Sequence, residues 1–360
     1  MKKKVIMLSL ILAIVIVLIL LTLSLTSPQF SPSTGLEDCK TISYNGKNKI
    51  NIVFFSNEKQ AKDYSEYFLT ISPFNKNKGS FNFFYIDSYI PECEIYKGIA
   101  LLCHSKEIIK KAASCPNDYI VVIQDQPKKI RSSAYMNVMS LNANYPKSVF
   151  PHEFGHAFLT LAEEYVPASL PDKPKNCVDN CEKFSQSDGC FEGCSESLYF
   201  RSINAGIMRT LSSESFGLFN EQLFQEKFQS TSKVTALAIE NTAECEDQKY
   251  YLIKGQIIDD KITISEKSIQ VGCVGGNGAG VFSFNITTTT GKTTQGNEFN
   301  PEDIFTDLYE EELSGEVLLA QTFILKMPLV ENGKNAELFK QDHKIFDINL
   351  EEINSRPCKK

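Results

Sequence analysis

The sequence lacks tryptophan, has only four histidines in 360 residues, and contains no internal repeat. The missing repeat excludes a solenoid or another repeat array. A basic stripe is missing too, because the lysines are spread along a chain of net charge −7 and pI about 5.4. Nucleic acid is therefore not an expected partner, since phosphate binding needs clustered basic residues.

One long uncharged run is present, at residues 5–26, and it follows Lys2, Lys3 and Lys4. As a helix this run is about 33 Å long, enough to cross the apolar core of a bilayer. The lysines favour a cytoplasmic N-terminus. We therefore expect a transmembrane signal anchor at residues 1–27, with the membrane as partner through residues 5–26. A cleaved signal peptide, which would leave a secreted protein, is the alternative. Both interpretations place the remaining chain outside the cytoplasm.

Eleven cysteines agree with export, because an exported chain can oxidise them to disulfides. The odd number leaves at least one cysteine outside any internal pair. Four of them form a C-x3-C pattern that repeats after eight residues: Cys177, Cys181, Cys190 and Cys194. This spacing could hold a structural zinc, but in an exported chain two local disulfides are favoured. Cys39 has two possible roles: it forms a disulfide, or its thiolate occupies the open position of a metal and keeps the site latent.

The rest of the chain has an ordinary globular composition, 42% hydrophobic and 22% charged, and is long enough for two domains. Residues 28–44 are rich in Ser and Pro and predict a tether. Residues 45–232 alternate strand and helix patterns, which predicts an α/β (α+β) domain. Residues 233–360 show strand-like runs between turns, which predicts an all-β sandwich of roughly seven strands. The predicted elements of the first domain are strands at 50–55, 81–86 and 119–123, and helices at 58–69, 105–113 and 220–229. Residues 133–141 are either a loop or an edge strand to which a peptide could add.

The stretch HEFGHAFLTLAEEY, residues 152–165, carries the chemistry. On a helix, His152 and His156 project from one face about one turn apart and can share one zinc ion. Glu153 lies beside that face and can take a proton from a water that the zinc activates. The opposite face carries Phe154 and Phe158, as expected of a helix packed on a core. Ser148 is the expected N-cap, and Pro151 falls in the first turn, where its missing N–H is harmless.

These residues resemble the extended motif of the IgA-peptidase family of zinc metallopeptidases, the igalysin-like metzincins. That family has HEFGH, a short apolar stretch and Asp-Glu-Tyr, and the later YFRSINAGIMR, residues 199–209, resembles its Tyr-Arg-Pro…Ile-Met-Arg turn. The resemblance covers roughly residues 50–230. It implies a metzincin-like zinc peptidase domain, with Met208 beneath the metal. This sequence departs from the pattern at Glu163, where the family has Asp, at Ser202, where it has Pro, and at Leu159-Thr160, which replace its Gly.

The third zinc ligand is expected to be Glu163, at the position of the family's Asp. If the helix continued, Glu163 would face the histidines but lie about 10 Å too far along the axis to bind the metal. It can reach only if the helix ends after about Phe158, and no glycine marks such an end. Glu164 is the alternative ligand, and a supporting role that holds a ligand imidazole is the alternative for Glu163. The two remaining histidines, His104 and His343, are expected to be ordinary surface or structural residues.

The expected function is that of a membrane-tethered, extracytoplasmic zinc-dependent endopeptidase. Zn2+ would be its cofactor, Glu153 its general base, and a protein or peptide its substrate. One alternative is a surface adhesion or binding protein that retains the peptidase fold without activity. Another is a zinc hydrolase acting on a non-peptide bond. The intact Glu153 favours an enzyme.

Overall fold

The computed structural model describes residues 36–235, 244–258, 261–306 and 317–354. Its helices are α1 Glu58–Phe68, α2 Lys106–Ala112, α3 Val149–Leu159, α4 Leu218–Thr235 and α5 Glu351–Asn354. Its first strands are β1 Lys40–Ser43, β2 Ile50–Phe55, β3 Phe81–Ile86, β4 Glu94–Tyr96, β5 Ala100–Leu102, β6 Tyr119–Gln124, β7 Ser133–Tyr135, β8 Val138–Asn142, β9 Phe191–Cys194 and β10 Glu196–Arg201. The later strands are β11 Lys249–Ile258, β12 Lys261–Val271, β13 Phe282–Thr288, β14 Thr293–Gln295, β15 Asp303–Thr306, β16 Val317–Leu319, β17 Thr322–Pro328, β18 Gly333–Lys340 and β19 His343–Asn349.

The largest sheet has eight strands in the order β1-β3-β2-β6-β8-β7-β15-β16. Its centre is parallel, because β2 pairs in parallel with both β3 and β6, and β6 with β8. These strands are almost fully buried apolar runs, as expected where both faces of a parallel sheet are covered. From β8 outward the pairing is antiparallel, through β7 and β15 to β16.

Local sequence explains where the first helices begin. Asn57 caps α1 by accepting a hydrogen bond from the backbone N–H of Gln60, and Ser105 caps α2 by accepting one from Ile108. A short side-chain oxygen at this position satisfies a helix donor that has no partner within the helix. The strands predicted at 50–55, 81–86 and 119–123 and the helices predicted at 58–69 and 105–113 are confirmed to within one residue at each end. The helix predicted at 220–229 is also confirmed, but it is longer and spans Leu218–Thr235.

The predicted fold class is wrong. The structure is mostly β, with 36% strand and 19% helix, and its strands form several sheets. The strands after residue 244 do not make one separate sandwich: β11, β12 and β17 form one sheet, β13, β14, β18 and β19 form another, and β15 and β16 extend the first sheet. Strands β15 and β16 join the first sheet because the outer edge of β7 would otherwise expose unpaired backbone N–H and C=O groups.

The expected transmembrane helix, residues 5–26, lies outside the described residues. Among the residues that are described, none of the helices has the length and apolar character needed to cross a membrane.

Five disulfides are present within the described residues: Cys39–Cys115, Cys93–Cys103, Cys177–Cys194, Cys181–Cys190 and Cys245–Cys273. The eleventh cysteine, Cys358, lies outside them. The two local disulfides predicted for the C-x3-C pattern are confirmed, and the latency role of Cys39 is wrong because its sulfur is bonded to Cys115. So many disulfides indicate an extracellular or secreted protein.

Helix α3 lies between the large sheet and α4, and every one of its residues is buried. Its phenylalanines belong to a core rich in aromatic rings. Phe154 makes an edge contact with Phe68 of α1 at 5.1 Å and stacks on Phe158 at 5.0 Å. Such contacts add to the hydrophobic burial of the rings. The helix that carries both motif histidines is therefore fixed on its aromatic side by the core.

Candidate metal centre

Helix α3 ends where the third-ligand prediction requires it to end. The last helical residue is Leu159, and Thr160 adopts a left-handed conformation with φ 55° and ψ 39°. The backbone N–H of Thr160 donates to the carbonyl of His156 at 2.9 Å, and that of Leu161 donates to Gly155 at 3.3 Å. Thr160 thus ends the helix in the left-handed conformation that is usually adopted by glycine at this position. The chain then turns back along the helix and returns Glu163 to the two histidines.

Three buried side chains converge at this point. His152 and His156 bring their Nε2 atoms within 3.2 Å of each other. Oε1 of Glu163 lies 3.4 Å from Nε2 of His152 and 3.3 Å from Nε2 of His156. Within the described part of the chain this is the one cluster of three or more His, Cys, Asp or Glu side chains suited to a metal ion.

Backbone carbonyls set the orientation of both imidazoles. Nδ1 of His152 lies 3.0 Å from the carbonyl oxygen of Ile207, and Nδ1 of His156 lies 2.6 Å from that of Leu161. A carbonyl only accepts hydrogen bonds, so each Nδ1 carries the proton and donates it. In the neutral ring this leaves the lone pair of each Nε2 pointing into the cluster. Histidine ligands of metals are usually oriented in this way by a partner of their other nitrogen.

The cluster fits zinc in both charge and size. Two Nε2 lone pairs and a carboxylate oxygen face one another in a buried space, and a cation placed between them would satisfy all three. Tetrahedral zinc with bonds of about 2.0–2.1 Å places its ligand atoms about 3.3–3.4 Å apart. The three observed separations of 3.2, 3.3 and 3.4 Å form one face of such a tetrahedron.

Electrostatics support an anionic Glu163. Burial opposes charge on this carboxyl, but the adjacent His152 and His156 outweigh it and lower the pKa of Glu163 to about 2. Burial also opposes charge on His152, yet Glu163 raises the pKa of His152 to about 10. Burial lowers the pKa of His156.

Glu153, the predicted general base, is next to the first histidine on α3. It is fully buried, and its negative charge contributes to raising the pKa of His152. Glu153 is not part of the three-residue cluster. A carboxylate beside the metal centre, but not bound in it, is the arrangement that a general base requires.

Glu164, the alternative ligand, has a different role. Its Oε1 accepts hydrogen bonds from Nδ2 of Asn220 at 2.7 Å and of Asn176 at 3.2 Å. Its backbone N–H donates to the carbonyl of Met208 at 2.9 Å. Burial raises the pKa of Glu164 to about 7. Glu164 therefore ties the chain after α3 to its surroundings and does not face the histidines.

Asn176 and Ser195 support Glu163, and sequence reasoning missed both. The side chain of Asn176 binds the backbone N–H and C=O of Ala162, at 2.7 and 2.9 Å. The hydroxyl of Ser195 donates to the carbonyl of Glu163 at 2.9 Å. The disulfide Cys177–Cys194 joins the residues directly next to these two. The only sequence feature that could have pointed to Asn176 and Ser195 is the C-x3-C pattern, whose cysteines are adjacent to both residues.

The turn at residues 206–209, called the floor turn below, contacts α3 at His152 and Gly155. Ile207 provides the carbonyl for His152, and Met208 is fully buried. A Cβ atom on Gly155 would lie 2.9 Å from Sδ of Met208, so any larger residue here would force the Met208 side chain to shift. The structure thus places Met208 against the helix between the two histidines.

The other histidines are not part of the cluster. His104 packs its ring edge against Tyr135 at 4.7 Å, and burial lowers its pKa to about 4. His343 is an exposed residue at the start of β19. Both therefore lie apart from the metal centre.

Strand β15, called the cover strand below, closes the site from the remaining side. The ring of Phe305 stacks on the imidazole of His156, with a centroid separation of 4.5 Å and an interplanar angle of 14°. The exposed fractions of the site residues are 0% for His152, 0% for Glu153, 1% for His156 and 2% for Glu163. A cavity beside His156, lined also by Ala157 and Phe305, has about 10 Å³, close to what one water molecule requires.

No protein-family model matches the chain, and no curated protein matches it significantly.

Proposed function

We propose that this protein is a zinc-dependent endopeptidase that acts outside the cytoplasm. The observation that carries the proposal is the triangle formed by His152, His156 and Glu163, whose sides match one face of a tetrahedral zinc site. The HExxH motif adds Glu153 in the place of a general base. The resemblance of residues 152–165 and 199–209 to igalysin-like zinc peptidases points to a peptide bond as the target. The uncharged run at residues 5–26 would direct export.

Each residue has a separate part in this chemistry. Zinc, when bound, would polarise the scissile carbonyl and lower the pKa of a water molecule. His152, His156 and Glu163 would hold it, with both imidazoles fixed by backbone carbonyls. Glu153 would take the proton of the attacking water and pass it to the leaving amine. Met208 supports α3 from below and does not contact the substrate.

The test is a pair of measurements on the full-length chain, wild type beside Glu153→Gln. We expect zinc in both proteins and zinc-dependent cleavage of a mixed peptide library by the wild type. General acid–base catalysis is typically worth about 10²–10⁴-fold, so Glu153→Gln should lose activity by that factor. Cleavage that persists in Glu153→Gln would contradict the assigned base.

A structural zinc site in a binding protein is the second candidate. The observation in its favour is the burial of all the site side chains beneath Phe305. A structural site is closed, whereas a catalytic site keeps one position open. Stoichiometric zinc without cleavage, even in a variant whose cover has been removed, would favour this candidate over the peptidase.

A further inference from the structure

We propose that the cover strand is an internal pseudosubstrate, which occupies the edge of β7 where a peptide substrate would bind and seals the metal centre with Phe305. The proposal rests on the peptidase function and adds its regulation. In this arrangement the closed chain is inactive, and the cover strand has to leave β7 transiently before a substrate can enter, which limits the cleavage rate of the wild type.

The pairing of β7 provides the first argument. One edge of β7 is occupied by β8, and the other is occupied by the cover strand. The cover strand runs antiparallel, with Thr306 opposite Ser133, Phe305 opposite Ala134 and Ile304 opposite Tyr135. An extended peptide that binds by strand addition needs these same backbone groups of β7. The cover strand and such a peptide therefore exclude each other.

The position of Phe305 provides the second argument. Its ring lies flat on His156, which contributes one corner of the metal triangle. The space that remains beside His156 accommodates about one water molecule and no peptide. A scissile carbonyl can approach the metal only after this ring has moved.

The attachment of the cover strand provides the third argument. The residues just before it are held from the C-terminal part of the chain, since Nζ of Lys340 binds both carboxylate oxygens of Glu302 at 3.0 Å. The hydroxyl of Tyr135 donates to the carbonyl of Pro301 at 3.1 Å. The strand itself has only four residues. A short strand that begins at a fixed base can leave β7 without separating the remaining sheets.

The first experiment compares the full-length wild type with Phe305→Ala and, as a control, Phe284→Ala. Phe284 is a phenylalanine of the same burial on β13, in a different core cluster. Zinc content, the rate of zinc transfer to a colorimetric chelator and cleavage of a quenched peptide library are measured. We expect Phe305→Ala to keep its zinc, to release it at least tenfold faster and to cleave peptides at least tenfold faster. Phe284→Ala should match the wild type in both rates.

These readouts separate the two proposals. Wild-type rates of zinc release and cleavage in zinc-loaded Phe305→Ala would overturn the pseudosubstrate. Faster zinc release without cleavage by any variant would overturn the peptidase function, and would leave Phe305 supported only as a seal over a metal.

A second variant avoids the cavity that Phe305→Ala creates. Ser133→Cys with Thr306→Cys places two cysteines at directly opposed positions of β7 and the cover strand, a spacing that a disulfide can bridge. Once oxidised, this protein keeps Phe305 and cannot open. We expect zinc release at least tenfold slower than in the single variant Thr306→Cys, and no cleavage. Equal rates in the locked protein and the single variant would show that the strand does not have to leave, which contradicts the proposal.

Discussion

The floor turn and the cover strand contact the metal centre from different sides and are held in different ways. The floor turn is bound by directed hydrogen bonds: Ile207 accepts from His152, Met208 accepts from the backbone of Glu164, and Arg209 donates to the carbonyl of Glu164 at 2.8 Å. The cover strand contacts the cluster through a stacked ring and pairs with β7 along three residue pairs. The floor turn thus determines the geometry of the ligands, whereas the cover strand determines access to them.

The comparison predicts two kinds of variant. Changes on the side of the floor turn and the ligands should alter the affinity for zinc, and changes in the cover strand should alter the rate of zinc exchange.

Removal of a ligand should have the largest effect. His152→Ala deletes one corner of the triangle, and we expect zinc affinity to fall by more than about 100-fold, beyond the range for residues that only support a ligand. His104→Ala is the matched control, because His104 is a partly buried histidine that packs on Tyr135 outside the cluster. Zinc titration against a competing chelator measures both. Equal affinities in the two variants would contradict the assigned site.

The two disulfides of the lobe after α3 should differ in their effects. Loss of Cys177–Cys194 frees the residues that hold Asn176 and Ser195 against the Glu163 segment. Replacing both cysteines by serine should lower zinc affinity by about 10–100-fold, as for other supports of a ligand. The same change at Cys181 and Cys190 is the control and should leave the affinity unchanged. A similar loss in both double variants would refute this link to Glu163.

A methyl group on Gly155 should push Met208 out of the floor turn. A Cβ there would lie 2.9 Å from Sδ of Met208 and 3.3 Å from Cδ1 of Leu161. Overpacking of this kind typically costs about 1–3 kcal/mol of unfolding free energy. Chemical denaturation of Gly155→Ala measures it. Adding Met208→Ala should recover part of the loss, and strictly additive losses would indicate that the two residues do not compete for space.

The smallest effect on zinc binding is expected for Lys326, which helps to hold the C-terminal strands to the large sheet. Its Nζ donates to Oδ1 of Asn117 at 2.7 Å, and burial lowers the pKa of Lys326 to about 7. Because the folded pKa lies below the unfolded one, unfolding free energy should fall as the pH decreases from about 10 towards 7. Lys326→Met should show a smaller difference in urea midpoint between pH 9.5 and pH 7. An unchanged difference would contradict a neutralised lysine.

The local sequence pattern was sufficient to predict most of the strands and helices around the metal ligands. The strands and helices before α3 follow from apolar runs and capping residues such as Asn57 and Ser105. The N-cap at Ser148 was right in position and wrong in contact, because its hydroxyl donates to the carbonyl of Leu211 and accepts no hydrogen bond from a backbone N–H of the helix. Tertiary contacts can thus replace a local cap.

The turn at Thr160 and the cover strand could not be predicted in this way. A left-handed threonine has no local signal, since glycine normally marks that conformation. The cover strand has only Ile304 and Phe305 as apolar residues, and its pairing with β7 joins positions far apart in the chain. Such pairing depends on which sheet edge is left open, a property of the assembled fold. The fold class was wrong for the same reason.

The measurement that tests the central claim most directly is zinc per chain in wild type, Glu163→Gln and Glu164→Gln. The two substitutions are identical in chemistry and adjacent in sequence, but only Glu163 faces both histidines. We predict about one zinc in the wild type and in Glu164→Gln, and a large loss in Glu163→Gln. A folded wild type without zinc, or full retention in Glu163→Gln together with loss in Glu164→Gln, would contradict the account.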